Sequence, residues 1–366
     1  MDSIWCTRPS TALVSARSIK LRGVSSLVPK TNRLVSLLSL NTASLALFRV
    51  LTALSTVWHL SVHHSLLVTL VALLPAAAMA LGYRTRVMAG LLLVIAGFLI
   101  ALNWETLSAA DIGMALLCTW CVGLPVNEQW SVDAALQSVY QDNPNATSTM
   151  THRIRTLYSP LTKLVVIGVL VFVAFSLITN TNGLSVFIVT ALTLLTPISL
   201  WEQLRVSFRA SPRYQQIQQL VIFYDEDCGF CLKMCLVLRE LLLTQDTRII
   251  TAQSNDAIFA IMDANNSWVI QSANKDTHIH WHAMQHLFAQ RWPFKVVAWI
   301  MNLPPLMRLG NAVYAWVAEN RSTMSRITAW ALPWGKLPEK PRLFTVIWVV
   351  ALSVELTVLF IQAAVL

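Results

Sequence analysis

Seven nearly continuous apolar stretches, at 42–62, 66–82, 87–102, 107–125, 161–178, 184–200 and 343–366, are each close to the ~17–25 residues a helix needs to cross a bilayer. With 55% hydrophobic residues, 12% charged residues and a mean hydropathy of +0.58, this 366-residue chain is more apolar than a soluble globule. The net charge of +9 is concentrated beside the apolar stretches rather than in a stripe interleaved with aromatics. That distribution marks membrane topology, not nucleic-acid binding. The 107–125 stretch is the weakest of the seven. Cys118 and Cys121 lie inside it, where a CxxC spacing reads as packing.

Lys and Arg alternate between the connections. The N-terminal arm, 83–86 and 152–163 are basic, whereas 63–64, 103–105 and 180–183 hold neither residue. The basic set is expected on the cytoplasmic side. Six spans then return the chain inside before Arg205, Arg209 and Arg213, and the last span exports only the C-terminus. This predicts a multi-pass protein of an inner or plasma membrane. Residues 1–40 read as a basic cytoplasmic arm, with Arg8, Arg17, Lys20, Arg22 and Lys30 against Asp2. A mitochondrial-type presequence has the same basic, serine-rich, acid-poor composition and stays open as an alternative. Arg49 and Glu355 fall within spans, where an unpaired charge costs at least ~2.5–3.5 kcal/mol, so each should face the bundle interior.

Between the sixth and seventh stretches lies LVIFYDEDCGFCLKMCLVLRELLL, 220–243, which assembles a chemical device from sequence order alone. Leu220 to Tyr224 read as a buried strand, Asp225 to Asp227 as a polar turn, and the residues from Cys228 onward as a helix. Apolar residues recur at helical spacing there, at Phe230, Met234, Val237, Leu238 and Leu241. Cys228 therefore falls at a helix N-terminus, where free amides and the helix dipole favour a thiolate. The neighbouring acids oppose this, so only a modestly lowered pKa is expected. Two intervening residues bring the Cys231 sulfur within disulfide reach. Two other uses stay open. Cys228 and Cys231 could join Cys235 and the group His278, His280, His282 and His286 in a zinc site, though no second CxxC or HxxxH at zinc-ribbon or zinc-finger spacing accompanies them. They could also be inert core thiols, which the polar turn disfavours. Cys235, one turn further on, reads as a packed thiol.

FYDEDCGFC, TAQS at 251–254 and VYAWVAENR at 313–321 resemble the DCC family of thiol-disulfide oxidoreductases, in order and over about 219–334. The resemblance implies a thioredoxin-like core in which Cys228 and Cys231 are the redox pair and Asp227 is the motif acid. The segment following NR departs from the family pattern. Strands at 247–252, 267–271 and 277–280 and a helix at 282–289 fit such a core; a cis-proline beside the dithiol has no candidate before Trp268. Residues 293–334, rich in Trp and Arg, read as helix lying on a membrane surface or packed on the domain.

A second resemblance rests on SLALFRVLTALSTVWHL, 44–60, and LPVNEQWSVDAAL, 124–136, which are similar to the HTTM family, the membrane part shared with vitamin K-dependent gamma-carboxylase. It covers about 31–201 and implies a helical bundle able to hold an isoprenoid or quinone-like ligand, without carrying over carboxylase activity. The expected architecture is thus multi-domain: a basic arm (1–40), an α-helical transmembrane bundle of about six helices (41–201), a thioredoxin-like α/β domain (202–335) and a C-terminal transmembrane helix (336–366). The expected function is a membrane-tethered oxidoreductase with the disulfide as its only redox group, membrane lipids around it, and a thiol/disulfide or small-molecule electron acceptor as partner. The alternative is a lipid-binding or transport bundle with the dithiol as redox sensor.

Overall fold

The computed structural model describes residues 40–103, 108–137, 156–157, 168, 185–243, 247–292, 294–332, 350–351 and 353–354. The N-terminal region is mostly helical. A short strand, β1 (Leu40–Asn41), leads into α1 (Thr42–His63) and pairs antiparallel with β2 (Thr156–Leu157). Three more helices, α2 (Leu66–Ala80), α3 (Thr85–Leu102) and α4 (Ala109–Gly123), pack each against the next, and α2 and α4 also pack on α1. Side-chain caps open α1 and α4: Asn41 accepts the Ser44 amide at 2.8 Å, and Ser108 and Asp111 form a reciprocal capping box.

Among the described residues, two helices, α1 and α3, are long and apolar enough to cross a membrane. The stretches at 66–82 and 107–125 yield 15-residue helices, shorter than expected. The stretch at 184–200 is not one helix. It forms α5 (Ser185–Leu192) and a 3₁₀ turn, breaks at Thr196–Pro197, and restarts as α6 (Ile198–Arg209). The break is at Pro197, because a residue preceding proline is driven out of the helical region, and Thr196 adopts ψ 119°. Its freed carbonyl accepts from Asn41 Nδ2 at 2.9 Å and Ser44 Oγ at 3.1 Å. The expected spans at 161–178 and 343–366, with Glu355, and the 1–39 part of the basic arm lie outside the described residues, single positions aside.

Arg49 is fully buried and does not snorkel. Its guanidinium donates from Nη1 to the carbonyls of Val126 (2.7 Å) and Gln129 (3.4 Å) and from Nη2 to that of Trp130 (2.6 Å). These carbonyls belong to the loop after α4, which then enters α7 (Val132–Gln137). The loop is pinned from the other side too: the amides of Val132 and Asp133 donate to the carbonyls of Leu81 and Gly82 in the α2–α3 turn. Gly82 has φ +72°, and a Cβ there would collide with Ser131 and Arg49.

The C-terminal half builds on a four-stranded mixed sheet. A short helix, α8 (Pro212–Gln219), leads into β3 (Val221–Tyr224); α9 (Gly229–Leu242) crosses over to β4 (Arg248–Thr251), which is parallel to β3. After α10 (Asp256–Asn265), β5 (Val269–Gln271) returns antiparallel to β3 and forms a hairpin with β6 (Thr277–His278); α11 (His280–Ala289) follows. The order β4-β3-β5-β6 is that of a thioredoxin-like fold. Every residue of β3 is buried because both faces are covered. Ile222 and Tyr224 join α9 and α11 in one core, while Val221 and Phe223 face Ile258 and Met262 of α10 in the other. Helices α12 (Lys295–Met301), α13 (Pro304–Glu319) and α14 (Arg321–Ala331) complete the described fold. Gly310 lets α13 approach the indole of Trp281 on α11 closer than any side chain permits.

Replacing Arg49 by Met leaves three carbonyls, that of Val126 buried and those of Gln129 and Trp130 partly buried, without this donor, a loss on the order of 3 kcal/mol. We expect Arg49→Met to lower the denaturant midpoint of the full chain in detergent, and Arg49→Lys to restore only part of it because an ammonium cannot fork across separate carbonyls. Wild-type stability in Arg49→Met would contradict this role.

Candidate functional site

Cys228 is the N-cap of α9, and Cys228 and Cys231 are joined as a disulfide with Cα atoms 5.2 Å apart. The polar turn makes this possible: the Cys228 amide donates to the Asp225 carbonyl at 3.0 Å, closing the turn so that the helix starts at Gly229. The Cys231 amide donates to Cys228 Sγ at 3.2 Å, so the helix terminus presents an N–H to this sulfur in particular. Both cysteines are half-buried, but Cys231 packs against the sheet core whereas Cys228 stays on the turn. Cys235 is fully buried, and burial pushes its thiol pKa up. It is a packed thiol, as its spacing suggested.

Asp225 gathers the three distant motif segments around this turn. Its Oδ1 accepts from Gln253 Nε2 at 2.9 Å, and its Oδ2 faces Arg321 Nη1 at 3.5 Å. Gln253 Oε1 in turn accepts the Glu226 amide at 3.2 Å, and Arg321 Nη2 donates to the Asn266 carbonyl at 2.7 Å. Asp225 and Arg321 are each about a quarter exposed, so their ion pair contributes at most ~1 kcal/mol. Its value is positional: it fixes the turn that holds Cys228 and sets a positive charge beside one of the three acids expected to oppose a thiolate. Asp227 itself is exposed, and its amide reaches Asp225 Oδ1 at 3.4 Å. Gln253 and Arg321 were legible only as parts of motifs; nothing in local spacing announces that they meet.

The cysteine helix also buries polar residues that apolar periodicity does not mark. Val237 packs with Val132, Ala135 and Leu136 of α7, and Glu240 Oε1 accepts the Trp130 amide at 3.0 Å. Lys233 Nζ donates to the Thr328 carbonyl at 3.1 Å. The expected stripe of Phe230, Met234 and Leu241 is only half-buried, while Val237 and Leu238 are buried. A sequence window sees one apolar face; it does not see a polar face that is buried because another segment docks there.

The histidines suggested for zinc are spread among other tasks. His280 Nε2 contacts the Asn265 carbonyl at 2.8 Å, and His282 Nδ1 contacts Gln285 at 3.3 Å. His278 and His286 stack with centroids 4.0 Å apart. None of them forms a metal-ligating group with Cys235 among the described residues.

The Cys228–Cys231 pair thus stands at the N-terminus of the crossover helix of the mixed sheet. Residues 222–327 match the DCC1-like thiol-disulfide oxidoreductase family, and this domain carries the Cys228–Cys231 pair. No curated protein and no solved structure matches the chain.

After reduction of the full chain, Cys228 should be alkylated by iodoacetamide faster than Cys231, with Cys235 silent until unfolding. Peptide mass mapping reads the order directly, and a faster Cys231 would reverse the assignment. A pH effect arises at His286, which burial, reinforced by His278 and opposed by Asp276, holds at about 4 against its ordinary 6.5. The fold keeps the ring neutral while the unfolded chain takes up a proton below 6.5, so this stabilisation is complete above pH 6.5 and drains away toward pH 4. The urea midpoint should fall across that window in wild type and less so in His286→Phe.

Proposed function

We propose that the chain is a membrane-embedded thiol-disulfide oxidoreductase whose Cys228–Cys231 dithiol works on the cytoplasmic side. The closed pair at the N-cap of α9, in a DCC1-like domain, is the observation that carries this reading. The Cys228 thiolate attacks one sulfur of a substrate disulfide and expels the other as a thiolate. Cys231 then attacks Cys228 Sγ, releasing the second substrate thiol and closing the disulfide on the enzyme. Two electrons pass to the substrate and are returned by a cellular dithiol. Asp227, the motif acid, is exposed on the turn immediately before Cys228.

Membrane embedding is supported by apolar surface that water would penalise. Leu67, Leu74, Val94 and Phe98 on α2 and α3 are each more than 60% exposed. Trp292, Trp299 and Trp330 are exposed on the segment around α12 to α14, as suits a bilayer interface. The two stretches that resemble the HTTM family meet through Arg49 and the carbonyls of Val126, Gln129 and Trp130, which supports reading 41–201 as such a bundle. The charge alternation supports a cytoplasmic dithiol and further spans in the multi-pass pattern.

A second reading is favoured by the docking of α9, the helix carrying both cysteines, onto α7 and Trp130. Here the dithiol senses redox state and gates a bundle that binds an isoprenoid or quinone-like ligand.

The deciding experiment expresses Cys231→Ser in membranes and looks for mixed disulfides on non-reducing gels. Trapped adducts that vanish in Cys228→Ser/Cys231→Ser, with activity lost in Cys228→Ser, support the oxidoreductase. If no adduct forms and Cys228→Ser loses only a redox response, the sensor replaces it.

A further inference from the structure

At the end of the bundle away from the dithiol, three side chains from two helices converge. His59 Nε2 lies 2.8 Å from Asp111 Oδ1 and His64 Nε2 lies 3.2 Å from the same oxygen. All three atoms fall within 4.8 Å of one another. His59 is on the last turns of α1, His64 ends that helix, and Asp111 opens α4. Ten residues of α1, about 15 Å, separate His59 from Arg49, whose partners adjoin the dithiol domain.

We propose that His59, His64 and Asp111 form a binding site for a divalent transition-metal ion of the zinc class. Two imidazoles and one carboxylate are a ligand set for such an ion, with a fourth position open to water or another ligand. Tetrahedral bonds of ~2.0–2.1 Å put ligand atoms about 3.3 Å apart. The two histidine-to-carboxylate separations, 2.8 and 3.2 Å, are within about half an ångström of that value, and one ligand atom from each of the three residues lies within 4.8 Å of the others.

The carboxylate is held for monodentate use. Oδ2 already accepts the Ser108 amide at 3.0 Å and Ser108 Oγ at 2.6 Å, which leaves Oδ1 to face the imidazoles. Both imidazoles aim the same nitrogen, Nε2, at one carboxylate oxygen, so three atoms able to ligate a metal face a common point. Burial sharpens the point. His59 is 3% exposed, whereas the His64 side chain is 13% exposed and gives an ion a way in from the surface.

The test uses the full chain in detergent, purified by a histidine-free tag, stripped with chelator and titrated with Co²⁺ while the visible d–d absorption is read. One saturable Co²⁺ per chain, displaced by Zn²⁺, is expected. Affinity should fall on the order of 100-fold in His64→Gln and in Asp111→Asn, and stay unchanged in His278→Gln/His282→Gln, which removes the other histidine-rich surface. His64→Gln alters the most exposed ligand, so it tests the site even if Asp111→Asn fails to fold. Absence of a saturable band, or a band that survives His64→Gln, overturns the proposal.

Discussion

The forked hydrogen bonds of Arg49 to the loop after α4 are the constraint on which much of the described molecule depends. An arginine inside an apolar helix is costly unless its charge is solvated by dipoles, and the carbonyls of Val126, Gln129 and Trp130 supply them. Once held, Trp130 takes φ +49°, a conformation a bulky residue adopts only under tight constraint. Its amide meets Glu240 and its ring lies 5.7 Å from the Arg291 guanidinium. Through this one residue the helical region and the cysteine helix share a polar contact, with Val237 and α7 providing the apolar one.

The dithiol depends on the same economy of placement. A strand buried on both faces stops at Tyr224, and the turn that follows leaves Cys228 at the first open amides of α9. Asp225 holds that turn to Gln253 and Arg321, so three segments far apart in sequence set the position of one sulfur. The helix behind it is gripped by the sheet on one side and α7 on the other.

Local chemistry made some of this legible beforehand. The buried strand, the N-cap position of Cys228, the packed Cys235 and the β5–β6 hairpin all follow from alternation, turn residues and helical spacing, which act over a few residues. The stretch at 184–200 shows the failure of the same approach: hydropathy averages across Pro197, while the backbone cannot. Likewise 66–82 and 107–125 have the composition of spans but only 15 residues of described helix, because capping at Ser65 and Ser108 and the breaks beyond Ala80 and Gly123 set the ends.

By itself, then, the sequence determined that the chain carries a CxxC at a strand-to-helix junction and where its long apolar stretches fall. These depend on intrinsic preferences of neighbouring residues. Only the tertiary structure decided that Arg49 would close over Val126 to Trp130, that Glu240 would be buried against Trp130, that Asp225 would collect Gln253 and Arg321, and that His59 and His64 would face Asp111. Each of those pairs polar groups separated by tens of residues. Such pairings are selected by the cost of leaving a buried charge or carbonyl unpartnered, and that cost exists only after the chain has packed.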